Sequence, residues 1–262
     1  MPKPIRADRA TVLQNLAEQL RQFEATRWAA ADGVISTGSP ALDRLLPEGG
    51  FRRGSLVEWL SPGPGSGAAT LALLAAQQAL AAGGALVVVD RLRLFYPPAA
   101  ARLGIALAKM IVVRPLNEAD HAWALDQALR SRGVAAVWSS IDRADNRTLR
   151  RWQLAAETSG VVGFLLRSHQ ARHEPSWAEL RLWVEPIATA PPLSGRNRRL
   201  RVEVLRSRAR PTGGAVELEI PTLEEIFPNR PAGWRGTHHE TRAVHLASQL
   251  AAAETIRRSR RA

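Results

Sequence analysis

The chain has 262 residues, enough for one sizeable α/β domain with terminal extensions, and 45% of them are hydrophobic, which predicts a packed core rather than disorder. It contains no Cys, so disulfides, thiolate metal sites and Cys nucleophiles are excluded. The net charge of +12 comes almost wholly from Arg, and this points to an anionic partner with nucleic acid first, although a genome that encodes Arg freely would give the same total.

Residues 1–34 read as an N-terminal arm. Within it, Val12, Leu13, Leu16, Leu20 and Phe23 fall at helical spacing between Arg9 and Trp28, which predicts one amphipathic helix packed on its own domain or on a neighbouring subunit. A short helix is expected over Pro40–Leu46 with Ser39 as its N-cap. Leu56, Val57, Trp59 and Leu60 read as a buried strand. Ser61–Gly67 is a loop that only small residues could form, and Ala68–Ala82 is an Ala/Leu helix stopped by Gly83-Gly84. Leu86–Val89 is a buried strand that ends on Asp90.

Downstream, a short helix is expected over Ala99–Ala108, broken by Gly104. Strands are expected at Met110–Val113, Val134–Ser139 and Val161–Leu166, with helices at Glu118–Arg132 and Arg147–Thr158 between them. This rhythm predicts a mostly parallel sheet covered on both faces. From Arg167 to Trp177 the chain turns polar and reads as an exposed loop. Glu179–Ile187, Arg199–Leu205 and Ala215–Ile220 then alternate, and the last two predict an antiparallel hairpin at the sheet edge. Pro228, Pro231 and Gly233 mark a linker. Glu240–Arg258 has a helical pattern and runs into Arg257, Arg258, Arg260 and Arg261. No apolar run is long enough to span a bilayer and no secretory leader is evident. The expectation is therefore a cytoplasmic protein, nucleoid-associated when acting and without membrane contact.

The strand, Gly-rich loop and helix at 56–82 have the layout of a nucleotide-phosphate site, where backbone N–H groups and a helix N-terminus cradle the anion. The working motif places a Lys on the β/γ-phosphates and a hydroxyl on Mg²⁺. Here Gly63, Gly65, Ser66 and Gly67 keep the loop, but Ala68 and Ala69 stand at the Lys and hydroxyl positions, and Thr70 comes one step late. The only lysines in the chain are Lys3 and Lys109. A loop and a helix dipole alone offer an anion about 1–2 kcal/mol. No cofactor is therefore expected, beyond weak ATP binding.

Ile35-Ser36-Thr37-Gly38-Ser39, Leu42-Asp43, Gly49-Gly50, Gly54, Val57-Glu58 and this loop resemble the opening of the RecA recombinase core, block by block. A second block, Gly195–Arg198 followed by Leu200–Val204 and Arg206-Ser207-Arg208, resembles the RecA segment that carries a basic pair. The resemblance spans about Ile35 to Ile220. It implies a RecA-like core over 35–227, preceded by the arm and followed over 228–262 by a linker and basic helix. In such ATPases a catalytic Glu follows the strand that ends here at Asp90; this chain has Arg91-Leu92-Arg93, with Leu92 at the lost acidic position. The Asp that orders Mg²⁺ falls on Ser139, and Leu166-Arg167 stand where a γ-phosphate sensor is expected. Together with Ala68 and Ala69 these departures argue against hydrolysis, which depends on such charge-stabilising groups.

A RecA-like core without its ATPase residues resembles the ImuA family. That resemblance implies a non-catalytic accessory protein of translesion DNA synthesis and SOS mutagenesis, an adaptor that touches RecA and an ImuB-like Y-family polymerase homologue. Arg206 and Arg208 match the pair that, in RecA filaments, reaches the neighbouring subunit's ATP. Arg196, Arg198, Arg167 and Arg172 are further candidates for contact with a partner or with DNA, and Trp177 could stack a base or pack as an edge residue. The Arg-rich C-terminal tail is a candidate for the polymerase partner or DNA. Alternative readings are a divergent DNA-dependent ATPase, a plain DNA-binding module, or a protein similar to the cell-division inhibitor SulA. His169 and His173 lie four apart, but Pro175 and the lack of acids beyond Glu174 give no metal site.

Overall fold

The computed structural model describes residues 33–187, 198–208 and 213–220. The helix expected at 9–28, the linker, the C-terminal helix and the candidate residues Arg196, Arg257, Arg258, Arg260 and Arg261 lie outside them.

The chain enters through a small antiparallel pair, β1 (Val34–Ile35) and β2 (Phe51–Arg52). Between them α1 (Pro40–Leu45) begins where sequence chemistry says it should: Pro at the first turn fixes φ, and the Ser39 hydroxyl accepts from Leu42 N. Asp43 secures the preceding turn by accepting from Thr37 N at 2.7 Å and from the Ser36 hydroxyl at 2.6 Å.

β3 (Leu56–Ser61) is wholly buried and leads through the Gly-rich loop into α2 (Ala68–Ala79). The α-helix ends at Ala79, and residues 80–82 tighten into a 3₁₀ turn before the glycines. β4 (Ala85–Val89) follows, then α3 (Pro97–Arg102). The helix expected over Ala99–Ala108 is broken at Gly104, as the sequence predicts, but it starts two residues earlier. Gly104 adopts φ +88°, which ends the helix, and a separate 3₁₀ turn forms at Leu107–Lys109. β5 (Met110–Val113), α4 (Glu118–Arg130), β6 (Val134–Ser140), α5 (Asn146–Ser159) and β7 (Val162–Ser168) complete the alternation. Asn117 and Asp145 cap α4 and α5 by accepting from Asp120 N and Thr148 N.

β8 (Leu180–Pro186), β9 (Arg198–Ser207) and β10 (Ala215–Ile220) extend the sheet, whose order is β10-β9-β8-β3-β7-β6-β4-β5. The strands from β8 to β5 are parallel, and β9–β10 is the expected antiparallel hairpin at one edge. Two cores result. On one face the small alanines of α2 lie close over Trp59, Phe164 and Leu182, with Phe51 edge-on to both aromatic rings. On the other, Leu125, Leu129, Leu149 and Trp152 of α4 and α5 cover Leu56, Val137 and Leu165.

The segment 167–177 corrects an expectation. It is not an exposed loop: β7 runs on to Ser168, a 3₁₀ turn follows at His169–His173, and Ala171, Ser176 and Ala178 are buried. Arg167 is only 2% exposed. Its guanidinium pairs with Glu58 at 3.1 Å and with Glu174 at 2.6 Å. Arg181 pairs with Glu58 at 2.7 Å and donates to the carbonyls of Ala171, Arg172 and Glu174. The Ser176 hydroxyl donates to Glu58 at 2.9 Å. A buried charge must be paired and hydrogen-bonded, and pulling this polar segment inward is how Arg167 and Glu58 meet that requirement. Arg167 is therefore a structural residue and not a partner contact. Arg172 is half-buried, its guanidinium 4.7 Å from the centroid of the Trp183 ring.

Candidate functional site

Because β3, β4, β6 and β7 are parallel, the segments following all of them gather at one carboxyl edge, where open α/β sheets bind ligands. The Gly-rich loop sits there. Ser66 N donates to Gly63 O, Gly65 and Gly67 have φ of +79° and +94°, and Leu71 N donates to Gly67 O, which starts α2. No side chain caps α2, so its first amides face the loop as a phosphate cradle requires. β9 closes over this loop from the side. Arg198 donates to Gly65 O, and the buried Leu200 packs so tightly on Gly67 that a Cβ there would lie 2.4 Å from its Cδ1. Ala68 is buried in the α2 core, Ala69 is exposed and Thr70 half-buried. Lys109 stands just before β5, at the opposite edge of the sheet.

The other positions are occupied by structural chemistry. Asp90 does not face a ligand: its two oxygens accept from Leu94 N and Phe95 N, each at 3.0 Å. This folds the 91–95 turn, in which Leu92 is 42% exposed and Arg91 pairs with Asp142 at 2.9 Å. Ser139 is buried. Its hydroxyl donates to Val89 O at 2.7 Å and lies 2.8 Å from His121 Nε2. With its one proton given to Val89, the hydroxyl accepts from His121, which puts a proton on Nε2. Among the described residues, no group of three or more His, Asp or Glu side chains could hold a metal ion.

His121 is 5% exposed, and its pKa is held below the usual imidazole value, first by burial and then by Arg91, against the opposing pull of Glu118, Asp142 and Asp90. The unfolded chain therefore takes up a proton more readily than the native one. The stability that neutral His121 contributes is present above its unfolded value of about 6.5 and is lost as the pH falls below it. The wild-type melting temperature should drop between pH 7.5 and 5.5, and His121→Gln should flatten that part of the curve. Equal slopes would remove His121 as the cause.

At the far end of β9 lies the basic pair. Arg206 donates to Ser176 O at 2.9 Å, and the Arg208 guanidinium sits 4.8 Å from the centroid of Trp177. Both remain exposed. Arg199, on the same face of the hairpin as Arg201, is neutralised by Glu217 across the strands. Ser176, Arg181, His121 and Arg150 were not singled out from sequence, and Glu58 entered only as part of the RecA resemblance. A lone Glu inside the apolar run of β3 and a lone Arg inside that of β8 were the available signals.

The structure thus combines a parallel sheet, a Gly-rich loop at its carboxyl edge and a basic hairpin. The RecA N-terminal domain family matches residues 23–142. Protein RecA of Chlorobaculum parvum is 38% identical over 104 residues, 40% of this chain and 30% of its own length. Protein RecA of Streptomyces venezuelae is 40% identical over 104 residues, 40% of this chain and 27% of its own. Protein ImuA of Caulobacter vibrioides (strain NA1000 / CB15N) is 31% identical over 241 residues, covering 83% of this chain and 90% of that protein. Similarity that runs through the loop, the sheet and the hairpin alike, over nearly the whole of a relative, assigns the fold as RecA-like and the chain to the ImuA family.

Proposed function

We propose that this protein is a non-hydrolysing, RecA-like accessory factor of translesion DNA synthesis, an adaptor between RecA and an ImuB-like polymerase homologue. The observation that carries the reading is the chemistry at the carboxyl edge. Ala68, Ala69, Leu92, Ser139 and Arg167 occupy the positions where nucleotide hydrolysis needs a cation, acids and a γ-phosphate sensor, and Asp90 is spent on its own turn. Phosphoryl transfer draws most of its acceleration from such groups.

Arg206 lies on the same strand as the residues that touch the loop but at its other end, about 26 Å from Arg198 at ~3.3 Å per residue, and Arg208 follows just past that end. In this reading the protein docks on RecA by that basic end, where the pair meets phosphates of RecA-bound ATP, and offers no live nucleotide site for the next subunit. The purified chain should release no inorganic phosphate above background, with or without single-stranded DNA and RecA. Strong metal-dependent release by the chain alone would overturn the non-catalytic reading. Arg206→Ala with Arg208→Ala should abolish capture of RecA in the presence of ATP; unchanged capture would remove the pair from the interface.

A further inference from the structure

Trp177 is half-buried beside β8 and carries an arginine from each of two separate elements. The Arg150 guanidinium of α5 lies 4.6 Å from its ring centroid and that of Arg208 lies 4.8 Å away. Arg206 is fixed one residue off, on Ser176 O. All three arginines are exposed, and none is ion-paired among the described residues. The two stacked guanidiniums lie within about 10 Å of each other, comparable with the screening length in ~0.1 M salt. Like charges gathered at that range, with no carboxylate between them, repel until an anion joins them. The indole ring holds each guanidinium by a cation–π contact, which reduces the entropy lost when they bind.

We propose that Arg150, Arg206 and Arg208 form one compact phosphate-binding platform and that Trp177 is the residue that positions it. The proposal rests on the docking reading above and adds Arg150 and Trp177 to it. The ligand is the terminal phosphates of a nucleotide held by the RecA neighbour. Two cations over one ring and a third on the carbonyl of the preceding residue match a polyphosphate better than a single carboxylate. A single-stranded nucleic acid is disfavoured, because guanidiniums already occupy the Trp177 ring on which a base would stack. The same contacts answer the sequence question about Trp177: it packs and holds arginines.

The test uses the full chain and measures its affinity for RecA assembled with ATPγS, then with ADP. Wild type should prefer the ATPγS form. Arg150→Ala and Trp177→Leu should each weaken that binding about tenfold, the size of one charge-assisted contact. Trp177→Phe, which restores a π face, should recover most of it. Leu keeps the apolar bulk, so melting temperatures close to wild type in all three variants would confirm that folding is unchanged. If Arg206→Ala with Arg208→Ala weakens binding but Arg150→Ala and Trp177→Leu do not, the platform is overturned and the docking reading stands. If none of these variants changes binding, the docking reading itself falls. If the variants lose affinity for an oligo-dT probe without RecA in the same proportion, the surface belongs to nucleic acid and the proposal is overturned.

Discussion

Glu58→Ala is expected to lower the melting temperature by about 6–20 °C, since breaking a buried ion-pair network costs about 3–5 kcal/mol and each kcal/mol moves a domain of this size by about 2–4 °C. The side chains of Glu58 and Arg167 are fully buried and that of Arg181 nearly so. Removing the carboxylate leaves the Arg181 guanidinium without a counter-charge and Arg167 with only the partly exposed Glu174, and Arg167 Nε has no partner even in the wild type. The cost also falls on the segment from His169 to Trp177, which hangs on the network through Glu174, Ser176 and the carbonyls that Arg181 binds. Amide exchange there should rise more than in α2. The control is Glu58→Leu combined with Arg167→Met and Arg181→Met. Replacing all three charges by apolar groups should recover most of the lost stability, because the desolvation cost goes with the charges. A melt of Glu58→Ala within about 2 °C of wild type, a shift worth under ~1 kcal/mol, would mean the network does not hold this segment.

That network also marks where sequence reasoning stopped. The β3–loop–α2–β4 unit was legible because apolar runs, a Gly-rich break and an Ala/Leu stretch are local signals. The hairpin was legible for the same reason, through strict alternation over Arg199–Leu205 and Ala215–Ile220. Segment 167–177 was not. Its composition is that of a loop, and what buries it is an ion pair from Arg167 to Glu58, 109 residues earlier in the chain. No window of neighbouring residues contains that fact. The role of Asp90 was hidden in a related way. The sequence shows only a carboxylate at a strand end, whereas its oxygens are filled by amides four and five residues on. The Arg150–Trp177–Arg208 stack brings together three segments far apart in the chain, and only the fold makes them neighbours.

The second large effect concerns what the glycines of the loop after β3 do in this fold. Gly67→Ala is expected to destabilise the fold by about 2–5 kcal/mol, combining about 1–2 for a left-handed non-Gly residue with about 1–3 for overpacking a core. Gly67 has φ +94°, and its missing Cβ is the space that the buried Leu200 fills. Gly65 has a similar φ of +79° but nothing within 4 Å of its Cβ position. Gly65→Ala should therefore cost only the backbone strain, about 1–2 kcal/mol. Denaturant melts of the two variants separate packing from conformation. If Gly67 is retained for packing, Gly67→Ala and Leu200→Ala should be non-additive, because the smaller side chain at 200 admits the new methyl and the new methyl fills part of the cavity. Equal costs at 65 and 67, or strict additivity with Leu200→Ala, would mean that the loop is kept for its backbone shape alone. Under the packing account the loop is a hinge point of the core, where β3, α2 and β9 meet, so its shape persists under selection for stability whether or not a phosphate is bound.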